Sequence, residues 1–165
     1  RGDMYVMLAI DQSGNKLLEF VKISEEDAAL QFSPITVCLI VVKIGKDYLM
    51  GFNHWRKDWE IFGGCPEKGE TMREAMIRET KEELGIDCIP EWLGLAHFEM
   101  QPDYFSNVVR EEYGAIFGVS LGEEYLEQIE KLRIDREEVE KIALLGEISS
   151  DEEIRELDRK LIDFY

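Results

Sequence analysis

The stretch Gly64–Ile86 reads GCPEKGETMREAMIRETKEELGI, and the rest of the chain is organised around it. It opens as a short glycine-bearing loop and continues as a helix. Thr71 is suited to cap the helix start, Gly85 stands where a helix stops, and Met72, Ala75, Met76, Thr80 and Leu84 recur at helical spacing as one apolar stripe. These signals predict a helix from about Thr71 to Leu84.

The carboxylates follow from the helical advance of about 100° per residue. With Met72 as origin, Glu79 and Glu83 fall within about 20° of it and Glu82 lies about 80° away, so all three border the buried stripe. Lys81 and Glu74 are left to cover the opposite face. Three like charges on adjacent turns repel, and partial burial raises the penalty. A hard divalent cation offsets it, because Mg²⁺ takes oxygen ligands and is held by a few carboxylates together with substrate phosphates. The competing reading is a solvated acidic face in an acidic protein.

The same residues give a specific resemblance. The stretch resembles the Nudix box, G-x5-E-x7-R-E-U-x-E-E-x-G-U, where U is a bulky aliphatic residue. Gly64, Glu70, Arg78, Glu79, Glu82, Glu83, Gly85 and Ile86 match, and Thr80 departs at the first U position, where its near-valine size still packs. The resemblance implies a Nudix-like α/β/α sandwich with a mixed β-sheet, acting as a metal-dependent hydrolase of a nucleoside diphosphate linked to a moiety X. It implies Mg²⁺ or Mn²⁺ held by Glu79, Glu82, Glu83 and the Gly63 carbonyl, and Arg78 paired with Glu70 to brace the loop against the helix. Either Glu79 or a downstream glutamate takes the proton from water; Glu112 is the first choice, with Glu111 and Glu99 behind it. Members of the family often carry proline before the paired glycines, where this chain has Phe62. Two other readings stay open: a non-catalytic nucleotide-sensing Nudix domain, expected to lose box carboxylates, and an isopentenyl-diphosphate isomerase-like enzyme, for which no clear second acid–base set is present.

Composition bounds the remainder. The 165 residues suit one domain, residues 1–165, and 45% apolar with 33% charged residues place it in the soluble globular class. A net charge of −17 argues against a nucleic-acid polymer or an anionic membrane as partner, since either would be repelled. The expected partner is a small anionic nucleotide-type substrate. Cys38, Cys65 and Cys88 are odd in number and lack CxxC spacing, which suggests reduced packing residues in a cytoplasmic protein. No run of 18 apolar residues occurs.

In chain order, Met4–Ile10 and Lys16–Ile23 read as an N-terminal β-hairpin within an extension, residues 1–33, that serves either a homodimer contact or substrate capping. Ser24–Phe32 reads as a short polar, helical connection. Ile35–Ile44 is nearly continuous apolar sequence, the mark of a strand buried on both faces, and Tyr48–Phe52 returns as its partner. Next comes Asn53-His54-Trp55-Arg56-Lys57-Asp58-Trp59, the basic and aromatic cluster before the box. Arg56 is a candidate for substrate phosphate, and Trp55 or Trp59 for stacking on a base, with Trp59 preferred. The alternative is a solvated loop with Trp59 tucked into the core. Cys88–Met100 and Val108–Leu121 read as strands. In the loop between them, Pro102 lies 16 and Tyr104 18 residues after Ile86. By resemblance this loop bears on substrate choice, and Tyr104 is the substrate-binding candidate there. Glu123–Leu132 and Asp151–Phe164 read as amphipathic helices, the second capped by Ser149 or Ser150, and Val139–Leu145 as a short strand or helical turn.

Overall fold

The structure, a computed structural model, describes residues 7–165. Its strands are β1 (Ala9–Ile10), β2 (Lys16–Val21), β3 (Ile35–Ile44), β4 (Asp47–Asn53), β5 (Asp58–Glu60), β6 (Phe62–Gly64), β7 (Glu91–Met100), β8 (Arg110–Leu121) and β9 (Val139–Leu144). The α-helices are α1 (Glu25–Gln31), α2 (Met72–Leu84), α3 (Tyr125–Leu132) and α4 (Glu156–Leu161). All nine strands join one mixed sheet in the order β1-β2-β7-β8-β3-β4-β5, with β6 also on β3 and β9 on β4.

The apolar run of β3 lies at the centre, as its sequence implies. β3 pairs parallel with β8 from Ile35 to Ile44 and antiparallel with two strands on its other side. β4 covers Val42–Ile44, then β6 takes over at Cys38–Ile40. Alternation along β3 feeds two cores. Cys38, Ile40, Val42 and Ile44 pack with Ala75, Met76 and Leu84 of α2 and Ile129 of α3. On the opposite face Val41 packs with Met50, Trp59, Leu157 and Leu161, the last two from α4. Helices on both faces of a mixed sheet give the α/β/α sandwich. Met76 and Leu84 are fully buried, and truncating either to alanine is expected to cost about 2–5 kcal/mol.

The N-terminal segment is part of this sheet. β2 pairs with β7 from Lys16↔Glu99 to Val21↔Leu95, and Asn15 Oδ1 accepts from the Gln101 N–H at 2.8 Å. The first three residues of the expected first strand, Met4, Tyr5 and Val6, lie outside the described residues.

One expected helix is shorter than its amphipathic pattern suggests. In place of a continuous helix over Asp151–Phe164, α4 begins after Arg155, and Ile162–Phe164 ends it as a 3₁₀ turn. The reason is a competing use of the backbone. Ile154 bridges to Trp59, the Trp59 N–H donates to Glu153 O, and the Arg155 N–H donates to Trp59 O. Residues committed to the edge of β5 cannot also make helical bonds. Neither serine caps the helix; Ser149 Oγ bonds Asp151 instead.

Candidate active site

Local sequence builds α2 as expected. Thr71 Oγ1 accepts from the Glu74 N–H and the Glu74 carboxylate from the Thr71 N–H, a complete capping box. Gly85 ends the helix at φ 72°, a conformation that favours glycine. A Cβ there would also collide with the backbone of Leu132, so Gly85 is where the segment after α3 crosses the end of α2.

That crossing forms the site. The Ile134 and Asp135 N–H groups both donate to Glu82 O, at 2.9 and 2.8 Å, using a carbonyl that the helix end leaves unpaired. Arg133, only 5% exposed, donates to Val139 O and Glu140 O, which locks the following turn. Asp135 Oδ1 accepts from the Glu137 and Glu138 N–H groups, curling the chain so that two carboxylates face α2. Oxygens of Glu83, Asp135 and Glu138 lie within 4.8 Å of one another.

Glu83 is the centre of this group. It is 3% exposed, and its Oε1 accepts from the Gly63 N–H at 2.8 Å. Burial, then Glu79, then Glu138 and Asp135 push its carboxyl well above the ordinary range, with the Gly63 hydrogen bond opposing. Glu79 is also raised, by burial first, and Arg78 opposes. Glu138 is raised by burial and then by Asp135. Three neighbouring carboxyls pushed toward protonation mark a place where negative charge exceeds its compensation. The donor set is all oxygen, so the residues fit a hard divalent cation, which would draw these groups back toward ionisation.

The paired glycines are required by contact. A Cβ on Gly63 would run into the Cys38 carbonyl and one on Gly64 into the Glu79 carboxylate. Arg78 spends its donors inside the site. Nε and Nη2 form a fork on Glu70 at 2.8 and 2.9 Å, Nη1 reaches Glu79 at 2.9 Å, and Nη2 reaches Cys65 O at 3.2 Å. The fork holds the Glu70 carboxyl down at about 2. Glu82, 45% exposed at its side chain, stands 3.6 Å from Arg78.

The structure thus links Gly63 to Glu83, and Glu70, Glu79 and Glu82 to Arg78; of the expected metal ligands, Glu83 is the one that belongs to the close carboxylate group with Asp135 and Glu138. The downstream candidates have partners of their own, and the charge of Glu112 reaches Cys65 of the box loop. Glu112 accepts from Thr36 Oγ1 at 2.7 Å and Arg110 Nε at 2.9 Å, Glu111 pairs with His97, and Glu99 pairs with Lys16. The carboxylates beside Glu83 are Asp135 and Glu138, which reading the sequence did not single out. Arg56 is forked onto Glu60. Trp59 is 3% exposed in the core against Phe52, so its ring is closed to a ligand and the exposed aromatic of that segment is Trp55. Tyr104 stands 96% exposed on its loop, its ring edge-on to Phe105.

Comparison with known proteins gives the family and the fold. The family profile described as NUDIX domain matches residues 34–163. Among solved structures, the chain is similar to the Bacillus subtilis pyrophosphohydrolase BsRppH in a mutant form (TM-score 0.61, 17% identity, 90% of this chain and 85% of that one). It is similar to the NUDIX domain of Shewanella oneidensis NrtR complexed with ADP ribose (TM-score 0.59, 11% identity, 86% and 96%). It is also similar to the MutT protein of Methanosarcina mazei Go1 (TM-score 0.57, 17% identity, 79% and 91%). At these identities the likeness is one of fold. A sequence comparison with curated proteins gives no match. Among the described residues no helix is long and apolar enough to cross a membrane. With the family profile spanning most of the chain and the box assembled around Glu83, the protein belongs to the NUDIX family.

Proposed function

We propose that this chain hydrolyses a phosphoanhydride bond in a nucleoside diphosphate linked to a moiety X, with Mg²⁺ or Mn²⁺ as cofactor. The observation that carries the reading is Glu83, a buried carboxylate aimed at two more acidic groups and held in place by the Gly63 N–H. A fold keeps such a cluster at a cost to stability, and cation-dependent chemistry is the gain that accounts for it.

Glu79, Glu82 and Glu83 from α2, with Asp135 and Glu138 from the crossing segment, would hold the cation, and the Gly63 carbonyl is a further ligand by resemblance. When bound, a divalent cation there neutralises the diphosphate oxygens and eases departure of the leaving phosphate. The protein groups do the rest. Arg78 fixes the Glu79 carboxylate and ties the Gly64–Glu70 loop to α2, so the phosphate-facing backbone is rigid. Glu79 and Glu138 are the groups placed to take the proton of the attacking water on a carboxylate oxygen, since not every carboxylate in the set is needed for the cation. The products are a nucleoside monophosphate and phosphorylated X, or a nucleotide and pyrophosphate from a triphosphate. BsRppH is named a pyrophosphohydrolase and the NrtR domain was solved with ADP ribose, which supports this class of substrate. The box keeps every carboxylate, which favours hydrolysis over nucleotide sensing.

The test is turnover with Mg²⁺ against nucleoside triphosphates, oxidised nucleotides, ADP-ribose, other nucleotide sugars, dinucleoside polyphosphates and coenzymes, run beside Glu83→Gln. Cleavage of one class that vanishes in the folded variant is the expected result and names X. Absence of turnover across the panel, with Mg²⁺-dependent nucleotide binding retained, refutes hydrolysis of these substrates in favour of a sensor.

A further inference from the structure

The turn between β4 and β5 gathers basic side chains in an acidic protein, each facing a carboxylate: Arg56 on Glu60, and His54 and Lys57 on Glu140. In a chain of net charge −17, His54, Arg56 and Lys57 stand together, and the turn that carries them rests on the acidic site: the His54 N–H donates to Glu138 O at 2.8 Å.

The turn is built to hold its shape. Asn53 is buried, and its Oδ1 accepts from the Trp55 and Arg56 N–H groups at 3.0 and 2.9 Å. The Lys57 N–H closes onto Asn53 O at 2.8 Å, and Lys57 takes φ 58°, a left-handed conformation that a side-chain-bearing residue adopts only where its surroundings enforce it. The guanidinium of Arg56 is then fixed separately. Its Nε and Nη2 fork onto the Glu60 carboxylate at 2.5 and 2.7 Å, and Glu60 is only 7% exposed.

Two features of this pair point outward. The Arg56 side chain is 53% exposed while its partner is buried. Its Nη1 makes no hydrogen bond among the described residues, whereas Arg78 and Arg133 use Nη1 on protein partners. Burying Glu60 beneath Arg56 leaves a guanidinium with one face pinned and the other free. Beside it, Trp55 is 66% exposed and rests edge-on against the His54 ring at 4.7 Å, leaving a flat face open.

We propose that the Asn53–Lys57 turn is the nucleotide subsite of this protein: Arg56 takes a substrate phosphate through its free Nη1 edge, Trp55 stacks on the base, and Glu60 is the positioning residue for Arg56. This rests on the nucleotide-hydrolase reading above and supplies its recognition element. Lys57, whose Nζ lies 4.0 Å from Glu140, stands at the rim of the turn.

The experiment is calorimetric titration of the full chain with AMP, and with ribose 5-phosphate as the base-free probe, in Mg²⁺ buffer. Arg56→Ala and Glu60→Gln are expected to weaken both probes by about tenfold or more, the loss of one charge-assisted contact. Trp55→Ala is expected to weaken AMP by about tenfold and leave ribose 5-phosphate within about twofold. For any panel substrate that is cleaved, Glu60→Gln raises KM while kcat stays within about threefold, a split that a purely structural role for the ion pair does not give. Trp55 is 66% exposed, so Trp55→Ala keeps the fold, and Arg56→Lys, which keeps a cation over the buried Glu60 but loses the forked guanidinium, decides the phosphate contact if Arg56→Ala or Glu60→Gln lowers stability. Binding of both probes unchanged in Arg56→Ala and Trp55→Ala, or no binding of either probe by the unaltered chain, overturns the subsite. Turnover indifferent to these variants removes the subsite and leaves the hydrolase reading standing. AMP binding that depends on the turn, with no turnover anywhere, removes the hydrolase reading and leaves the subsite.

Discussion

Glu83→Gln is expected to stabilise the protein in the absence of divalent cations and to abolish its stabilisation by them. Oxygens of Glu83, Asp135 and Glu138 lie within 4.8 Å of one another, and two full charges at that distance repel by about 3.5 kcal/mol at an effective dielectric constant of about 20. Part of this is already relieved by proton uptake, because burial holds Glu83 above its ordinary range, so neutralisation releases less, about 1–3 kcal/mol. Glutamine keeps the oxygen that accepts from the Gly63 N–H, and its amide can donate to Asp135 or Glu138. For a chain of this length the gain corresponds to a rise in Tm of roughly 3–8 °C. The pH dependence has a definite sign: a carboxyl whose folded pKa is raised contributes stability that is complete below about 4.5 and is lost as pH rises through the folded value. The native chain in EDTA should therefore lose Tm from about pH 5 upward, and Glu83→Gln should lose less. Adding Mg²⁺ at about 100 times its Kd restores about 2.7 kcal/mol to the native chain only. Thermal melts of both proteins in EDTA and in Mg²⁺ at several pH values make the measurement. A variant that melts lower than the native chain in EDTA, or gains equally from Mg²⁺, refutes the reasoning.

Arg78→Ala removes the fork on Glu70, so the Glu70 carboxyl should rise from about 2 toward its ordinary 4.5, read by NMR titration, with activity reduced by about 10–100-fold. Gly85→Ala places a Cβ against the Leu132 backbone at a left-handed residue and should cost about 2–4 kcal/mol in urea unfolding while weakening Mg²⁺ binding, because it displaces the segment that carries Asp135 and Glu138. The Asp58 carboxyl is pushed up to about 8, by burial and then by Glu60, so its contribution is full below about 3.8 and lost as pH rises to 8. Asp58→Asn should flatten the Tm profile between about pH 4 and 8.

What the sequence shows plainly is what local chemistry decides. α2 was legible because its caps, its stripe and its carboxylates lie within one continuous segment, and β3 because ten successive residues, nearly all apolar, can be satisfied only at the centre of a covered sheet. Asp135 and Glu138 were not, because they reach Glu83 only when the segment after α3 docks on the Glu82 carbonyl, a tertiary event with no periodicity. The signal that could have found them is the Asp135-x-x-Glu138 turn following a buried arginine. Trp59 and Trp55 stand four residues apart in one cluster, and composition cannot say which is buried; the register Phe52↔Trp59 in the β4–β5 hairpin decides it. The late start of α4 follows from the backbone bonds that Glu153 and Arg155 make to Trp59, again outside the helix's own pattern.

The most direct test of the site is a Mn²⁺ titration of the native chain, Glu83→Gln and Glu138→Gln, with free Mn²⁺ followed by EPR. Binding by the native chain, loss in Glu83→Gln and weakening of about tenfold or more in Glu138→Gln is the predicted result. Equal Mn²⁺ binding by all three proteins contradicts a cation site centred on Glu83.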